Sequence, residues 1–407
     1  MTSRGVALAI AVVALWTAAR TFGVPELQSL AVAALTVLVA AVLWSRVLPA
    51  KLSVQRTVRP TMVPFGDRAT VELTLTNTGW LPTPPLYVTD AAPAILAEHR
   101  STRLAPIGPG HRRTLSYQLH GRHRGRATVG PLTVSGRDAF GLAQRHRQLH
   151  GTAEVVVLPP VVDLPAGLRL GGATGSTTGG RRQPNATGEE LSDIREYVHG
   201  DDLRAVHWPS TAHRGKLMVR RSEDVLTPRA TIVLDVRSGR HTGRGPDASV
   251  EVAIAAAASA TSHLDERGRH VVLLDRPVQR TPESLPASRW LERLAEVEPE
   301  EVDLHGLLQQ LASGVASEGT LLTIVTTPQE GELRALVRAG RGASTRLALI
   351  VDTATFAGRG PDPDVDKSVT GLVAAGWHAI ALRRGDDLAD AWRVLISQGR
   401  RHRVGAG

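Results

Sequence analysis

Two apolar runs constrain this chain more than anything else in it. "GVALAIAVVALWTAA" (residues 5–19) and "LAVAALTVLVAAVLW" (30–44) contain no charged side chain and are separated only by residues 20–29. With the flanking "TFGV" and "ELQS", each approaches the roughly 20 residues a helix needs to cross about 30 Å of hydrocarbon. A single such run would also fit a cleaved signal peptide, but a second directly behind it favours a membrane hairpin over residues 1–50. Arg4 precedes the first run, and Arg46, Lys51, Arg56, Arg59 and Arg68 follow the second, while Arg20 in the connection is partly offset by Glu26. Basic residues favour the cytoplasmic side, so both termini and the main body are expected there. Trp16 and Trp44 suit interfacial anchoring or packing between the two helices.

From residue 51 to 170 the pattern shortens. "ATVELTLTN" alternates with period two, and "RRTLSYQLH", "RATVGPLTVSG" and "AEVVVLP" are further β-rich pieces divided by Gly and Pro. "NTGWLPTPP" is turn chemistry. Short strands at this spacing predict a β-sandwich-like domain. "RHRGR" (122–126) reads as a solvated hairpin rim or a phosphate-binding patch. "GGATGSTTGGRRQPN" (171–185) is a flexible linker by composition. No Lys-Ser or Lys-Thr pair completes a phosphate loop there.

From residue 229 to 407 strands and helices alternate. "ATIVLDV", "HVVLLD", "LLTIVTT", "RLALIVD" and "HAIALR" are continuous apolar runs, as strands buried on both faces require. Helical stretches such as "ASVEVAIAAAASATSHLDERG" and "PQEGELRALVRAG" lie between them, so a doubly wound parallel sheet is expected. Ligands of such sheets bind beyond the carboxyl ends of the strands. Asp235, Asp275, Thr326, Thr327 and Asp352 fall on that rim, where Asp and Thr also serve as ordinary caps.

Composition removes several functions. The chain has no cysteine, which excludes disulfides, thiolate metal sites and a cysteine nucleophile. The aromatic share of 3% argues against stacking platforms for single-stranded nucleic acid. Lys plus Arg less Asp plus Glu is 48 − 39 = +9, which permits an anionic partner without identifying one. No nucleic-acid partner and no cofactor is expected.

"IREYVHGDDLRAVHWPSTAHRGKLMVRR" (194–221) packs nine charged side chains, three histidines and a tryptophan into one stretch. "GDDLRAVHW" reads as a turn at Gly200, then a short helix capped by Asp201 or Asp202 and stopped at Pro209. Arg195, Glu196, Asp202, Arg204 and Arg214 balance in sign and can satisfy one another, with Tyr197 and Trp208 packed beside them. A metal site using Asp201, Asp202, His199 or His207 has no recognised spacing. A hydrolytic dyad lacks an activated Ser motif. A protein-docking face is the remaining reading.

The longer stretch "GEELSDIREYVHGDDLRAVHWPSTAHRGKLMVR" resembles the signature of the bacterial "domain of unknown function 58" family, and "RGRATVGPLTVSGRDAFGL" (124–142) resembles that family's R-G…G-P…D-P-F-G-L strand pair. His213 and Ala139 stand where the family often has Arg and Pro. The resemblance implies a signature block over 186–228 followed by a von Willebrand factor A-like α/β domain over 229–407. Arg195, Glu196, Tyr197, Gly200, Asp201, Asp202, Arg204, Trp208 and Lys216 are its signature and interaction residues, with no catalytic residue among them. It also implies partnership with a MoxR-type AAA+ ATPase and a transglutaminase-like membrane protein, hence a scaffold or adaptor rather than an enzyme. The alternatives are a hydrolase or nuclease centred on 193–207 and a binder of anionic surfaces.

Related A-like domains begin a metal-dependent adhesion site with D-x-S-x-S. This chain has Asp235, Arg237 and Gly239 at those positions, so both hydroxyl ligands are missing and no metal is expected.

Overall fold

The computed structural model describes residues 1–47, 51–97, 101–138, 140–166, 193–196, 206, 208–221, 229–278, 284–315 and 319–404. The 171–185 linker, Ala139, and His199, His207, Tyr197, Gly200, Asp201, Asp202 and Arg204 of the signature lie outside them.

The apolar runs form helices α1 (Ser3–Phe22) and α2 (Pro25–Val47), joined through Gly23 in the left-handed region at φ 68°. Both are long and apolar enough to cross a membrane. Ile10, Val13, Leu30 and Leu43 face outward, so the hairpin carries its apolar surface outside rather than in a core.

The next part is β1 (Leu52–Arg59), β2 (Met62–Val63), β3 (Arg68–Asn77), β4 (Leu86–Asp90), β5 (Leu96–Ala97), β6 (Ser101–Leu104), β7 (Arg112–Gly121), β8 (Gly125–Val129), β9 (Leu132–Arg137), β10 (Gln144–Leu149) and β11 (Ala153–Val157). They pair as β1-β3-β7-β5, β10-β9-β4-β6 and β2-β11-β8. Every pairing is antiparallel except β11 with β2. Alternation in β3 turns Val71, Leu73 and Leu75 inward, where they meet Leu86 and Val88 of β4, Leu132 and Val134 of β9, and Val155 and Val157 of β11. One apolar core thus serves all three sheets, each fully buried aliphatic contributing about 1.5–3 kcal/mol.

Strand β12 (Asp193–Glu196) pairs antiparallel with β13 (Met218–Arg221), and α3 (Trp208–Arg214) lies between them. As the end of a preceding helix, Pro209 would have no place here. Instead it sits in the first turn of α3, where its missing N–H has no carbonyl to meet in any case. Thr211 Oγ1 accepts the Met218 N–H at 3.0 Å and ties helix to strand.

The remaining elements are β14 (Arg229–Leu234), α4 (Ser249–Asp265), β15 (His270–Leu274), α5 (Ala287–Glu296), α6 (Leu304–Gln310), β16 (Thr320–Thr326), α7 (Glu330–Ala339), β17 (Thr345–Val351), α8 (Thr353–Phe356), α9 (Pro363–Ala374), β18 (His378–Leu382) and α10 (Leu388–Val404). The five strands form an all-parallel sheet in the order β15-β14-β16-β17-β18. Ile232, Leu234, Leu322 and Leu349 pack under α4, α5 and α10, while Val233, Leu321, Val325 and Ile350 pack under α6, α7 and α9. Burial on both faces explains why these strands read as unbroken apolar runs.

The strand-rich part and the parallel sheet's helices are clasped together. Arg124 donates from Nε and Nη2 to Glu251 of α4 at 2.7 and 3.0 Å, and from Nη1 to the Leu294 and Ala295 carbonyls at 3.1 and 3.0 Å. Those carbonyls end α5, so the cation also caps that helix. The "RHRGR" stretch is therefore no solvated rim at this position: the Arg124 side chain is 8% exposed.

Candidate functional site at the carboxyl end of the parallel sheet

The strand order reverses between β14 and β16, which opens a crevice at their carboxyl ends. Asp235 follows the last residue of β14, and its N–H donates to Ile324 O of β16 at 2.9 Å. Thr326 closes β16. Two residues past Asp235 the backbone is pinned by Ser238 N to Glu300 O and Glu300 N to Val236 O, at 2.9 and 3.0 Å. That pinning turns the Arg237 side chain back into the crevice.

Arg237 Nε donates to Asp235 Oδ1 and Nη2 to Oδ2, both at 2.8 Å, a parallel bidentate pair. Oδ1 also accepts the Arg237 N–H at 3.2 Å. Oδ2 accepts the Thr326 hydroxyl at 2.7 Å and the Thr326 N–H at 3.2 Å. Nη1 reaches Glu332 Oε1 at 2.5 Å, and Glu332 Oε2 accepts the Gln329 N–H that opens α7. One guanidinium thus links the ends of β14 and β16 to the start of α7. Burial by itself would raise the Asp235 carboxyl, yet the Arg237 hydrogen bonds and charge, with the Thr326 hydroxyl, outweigh it and lower the group from its ordinary value.

The divalent cation implied by the von Willebrand resemblance does not fit these residues. Both Asp235 oxygens already have their lone pairs taken, and Ser238 and Gly239 are exposed on the turn. A cation about 5 Å from the guanidinium would also meet roughly 7 kcal/mol of repulsion at an effective dielectric near 20. Among the described residues no group of three or more His, Asp or Glu side chains is placed to hold a metal ion.

The other rim residues repeat the theme. Asp275, past β15, is 2% exposed and accepts from Arg293 Nη2 at 2.9 Å and from Arg276 at 3.3–3.4 Å. Asp352, past β17, is fully buried; its Oδ2 accepts the Asp362 N–H at 3.1 Å and Arg383 Nε at 3.4 Å, while Oδ1 has no hydrogen-bond partner. Thr327 lies half-buried beside Thr326. Each buried carboxylate of the rim is held by at least one arginine: Asp235 by Arg237 of its own loop, Asp275 by Arg293 of α5 and the adjacent Arg276, and Asp352 by Arg383 past β18.

A serine and a histidine that the sequence reading passed over sit beneath Asp235. His241 Nε2 donates to Asp235 O at 2.8 Å and Nδ1 accepts from Ser249 Oγ at 3.0 Å, the tautomer that fits a neutral ring. Burial holds the His241 imidazole below its ordinary value. The couple has the spacing of a nucleophile and base. However, Ser249 is fully buried, its oxygen accepts the Thr242 N–H at 2.9 Å, and the far ring nitrogen meets a carbonyl rather than a carboxylate. It fixes the turn that carries Arg237.

Of the nine signature residues, Arg195, Glu196, Trp208 and Lys216 lie among the described residues. Arg195 and Glu196 stand on β12 opposite Val219 and Met218. Lys216 is exposed in the α3–β13 turn. Trp208, expected to pack beside a charge network, starts the short helix α3 and is 69% exposed.

The fold and rim together define an α/β protein, carried behind an apolar helix pair, whose switch-point crevice is closed by its own ion pairs. Residues 193–354 match the family described as "Protein of unknown function DUF58". No curated protein matches the chain. Among solved structures, the chain is similar to the alkylpurine DNA glycosylase AlkC of Pseudomonas fluorescens bound to DNA containing an abasic site analog, at 20% identity over 26% of this chain and 30% of that one, with TM-score 0.20. A CARDB domain from Pyrococcus furiosus is 18% identical over 26% of this chain and 94% of its own, with TM-score 0.20. A β-glucosidase of Listeria innocua in complex with gluconolactone is 13% identical over 28% and 16%, with TM-score 0.19. Likenesses at this level carry no argument about this chain.

Proposed function

We propose that the chain is a membrane-anchored scaffold or adaptor, with α1 and α2 spanning the bilayer and both termini and the main body in the cytoplasm. Residues 51–170 then form a β-sandwich-like domain and 229–407 a von Willebrand factor A-like domain that binds partners without metal. The observation that carries this reading is the saturation of both Asp235 oxygens by Arg237 and Thr326. A crevice closed by a tethered cation leaves the surrounding rim as a fixed, charge-matched surface, suited to protein docking rather than to activating a water or a substrate. The exposed Trp208 adds an aromatic of the kind that anchors protein interfaces. By family resemblance, the partners are a MoxR-type AAA+ ATPase and a transglutaminase-like membrane protein.

The test is extraction of the tagged full chain from membranes, with identification of bound proteins in the presence and absence of EDTA. Recovery of an AAA+ ATPase in both conditions supports the reading. Loss of all partners with EDTA, or a chain that stays in the soluble fraction, overturns it.

A further inference from the structure

The "DAFGL" stretch between β9 and β10 is absorbed by neither the rim nor the core, and it touches the helix pair. Asp138, 7% exposed, accepts the Phe140 N–H at 2.7 Å and the Leu142 N–H at 3.2 Å, and also accepts the Ala143 N–H, so both ends of the turn are fixed to one carboxylate. Thr2, which caps α1, donates its N–H to Leu142 O at 3.0 Å and its hydroxyl to Gly141 O at 2.6 Å. The Leu142 carbonyl lies so close to α1 that a Cβ on Gly5 would stand 2.2 Å from it. Leu142 itself is buried against Leu38 and Ala41 of α2, beside Leu8 and Ala9 of α1.

This anchoring presents Phe140 outward, 67% exposed, at the level of the last turns of α2. An apolar groove runs between them, lined by Thr36, Val37, Ala40, Ala41, Trp44 and Phe140. Among the described residues the one carboxylate on the groove is Asp138, whose oxygens are turned to backbone N–H groups. The groove is continuous with the outward apolar surface of the helix pair, and the exposed cationic stretch Arg145–Arg147 lies on β10 beside α2. Aromatic side chains backed by cations are the groups that settle at the boundary of acyl chains and anionic headgroups.

We infer that Phe140, held in place through Asp138 and Leu142, forms a third membrane element, seated in the cytoplasmic leaflet, with a phospholipid acyl chain in the groove between Phe140 and α2. The inference rests on the membrane-spanning reading of α1 and α2. It gives the body a second point of attachment and so a fixed tilt to the bilayer, which two helices joined to it by a short connection would not supply.

The chain has no cysteine, so single cysteines report single sites. Phe140→Cys, Val13→Cys on the outward face of α1 and Thr370→Cys on the exposed side of α9 are each labelled with an environment-sensitive fluorophore. The full chain is then reconstituted in nanodiscs of phosphatidylethanolamine and phosphatidylglycerol with spin-labelled lipid. Quenching of about twofold or more at 140 and 13, with none at 370, is the expected result. In the Gly5→Ala background, which displaces Leu142, quenching at 140 should fall while that at 13 stays. A label at 140 reached only by aqueous quencher, or by neither aqueous nor lipid quencher as a second protein in the groove would cause, overturns the inference. So does quenching at 140 that Gly5→Ala leaves unchanged. Absence of quenching at 13 instead sinks the spanning reading on which the inference stands.

Discussion

Arg124 and Glu251, 127 positions apart in sequence, meet through two nitrogen–oxygen contacts of 2.7 and 3.0 Å that join the strand-rich part to α4. The same guanidinium finishes α5 through the carbonyls of Leu294 and Ala295. Nearby Arg126 also reaches across, to Glu292 and Glu296, but its side chain is 43% exposed against 8% for Arg124. Water competes for one of these cations and hardly for the other.

Arg124→Ala should therefore destabilise the detergent-solubilised chain by about 2 kcal/mol, the scale of lost hydrogen bonds to a charged group. Arg126→Ala should cost markedly less, as exposed pairs do. Denaturant unfolding measures both, and hydrogen exchange at the end of α5 should rise only in the Arg124 variant. Equal losses in the two variants would show that burial does not decide the strength of this contact.

A second expectation concerns pH. Burial first, and the Arg267 guanidinium second, push the His263 imidazole down to about 4, with Arg267 Nη1 donating to His263 Nδ1 at 3.0 Å. The ring packs edge-on against Trp392, centroids 5.5 Å apart, beneath α10. A histidine lowered in the folded state lends stability that is present above its unfolded value near 6.5 and is lost as pH falls toward the folded value. Melting temperature should decline between about pH 6.5 and 4. The decline should be shallower in His263→Gln. Identical slopes in parent and variant would remove this histidine as the cause.

The parallel sheet was readable because its strands are buried on both faces: "ATIVLDV" or "LLTIVTT" has no polar side to confuse with anything else. The helix pair was readable for the related reason that residues 5–19 and 30–44 admit no charge. Arg124 was not, since its partners lie 127 to 171 positions away and "RHRGR" looks locally like any basic hairpin tip. The crevice was half legible. The D-x-S-x-S comparison singles out Asp235 and Arg237 from sequence alone, but Glu332 and Ser249 enter through α7 and α4, whose placement only the fold supplies. The balanced charges around Asp202 and Arg204 fall outside the described residues, so that part of the reading stands where the sequence left it.

Removing Arg237 should be far worse than removing the whole pair. Arg237→Met leaves the Asp235 carboxylate, 0% exposed at its side chain, without its countercharge, and a broken buried pair costs about 3–5 kcal/mol. Asp235→Ala with Arg237→Met removes the Asp235 charge as well, though Glu332 still lacks its guanidinium partner, and should recover part of the loss, a coupling that a double-mutant cycle reads directly. The lowered Asp235 carboxyl adds a sign check. Its contribution is present above the ordinary carboxylate value near 4 and fades as pH falls below it, so the parent should lose more stability there than the double variant. Additive single losses in the cycle would mean the two residues act independently.

Metal dependence is the last expectation, and it follows from counting lone pairs. Oxygen-ligated Mg²⁺ requires near-octahedral donors, and Asp235 would be the first of them. Both its oxygens are committed to Arg237 and Thr326, and the position four residues after it, Gly239, faces open space where a Cβ would meet nothing. Calorimetric titration of Mg²⁺ into the parent should show no binding tighter than roughly millimolar, and partner binding should survive EDTA. Arg237→Ser with Gly239→Ser removes the guanidinium, frees the lone pairs it occupied and adds two hydroxyls, so that variant should take up Mg²⁺ more tightly than the parent. Sub-millimolar binding by the parent that disappears in Asp235→Ala would show that the guanidinium yields its place to a cation.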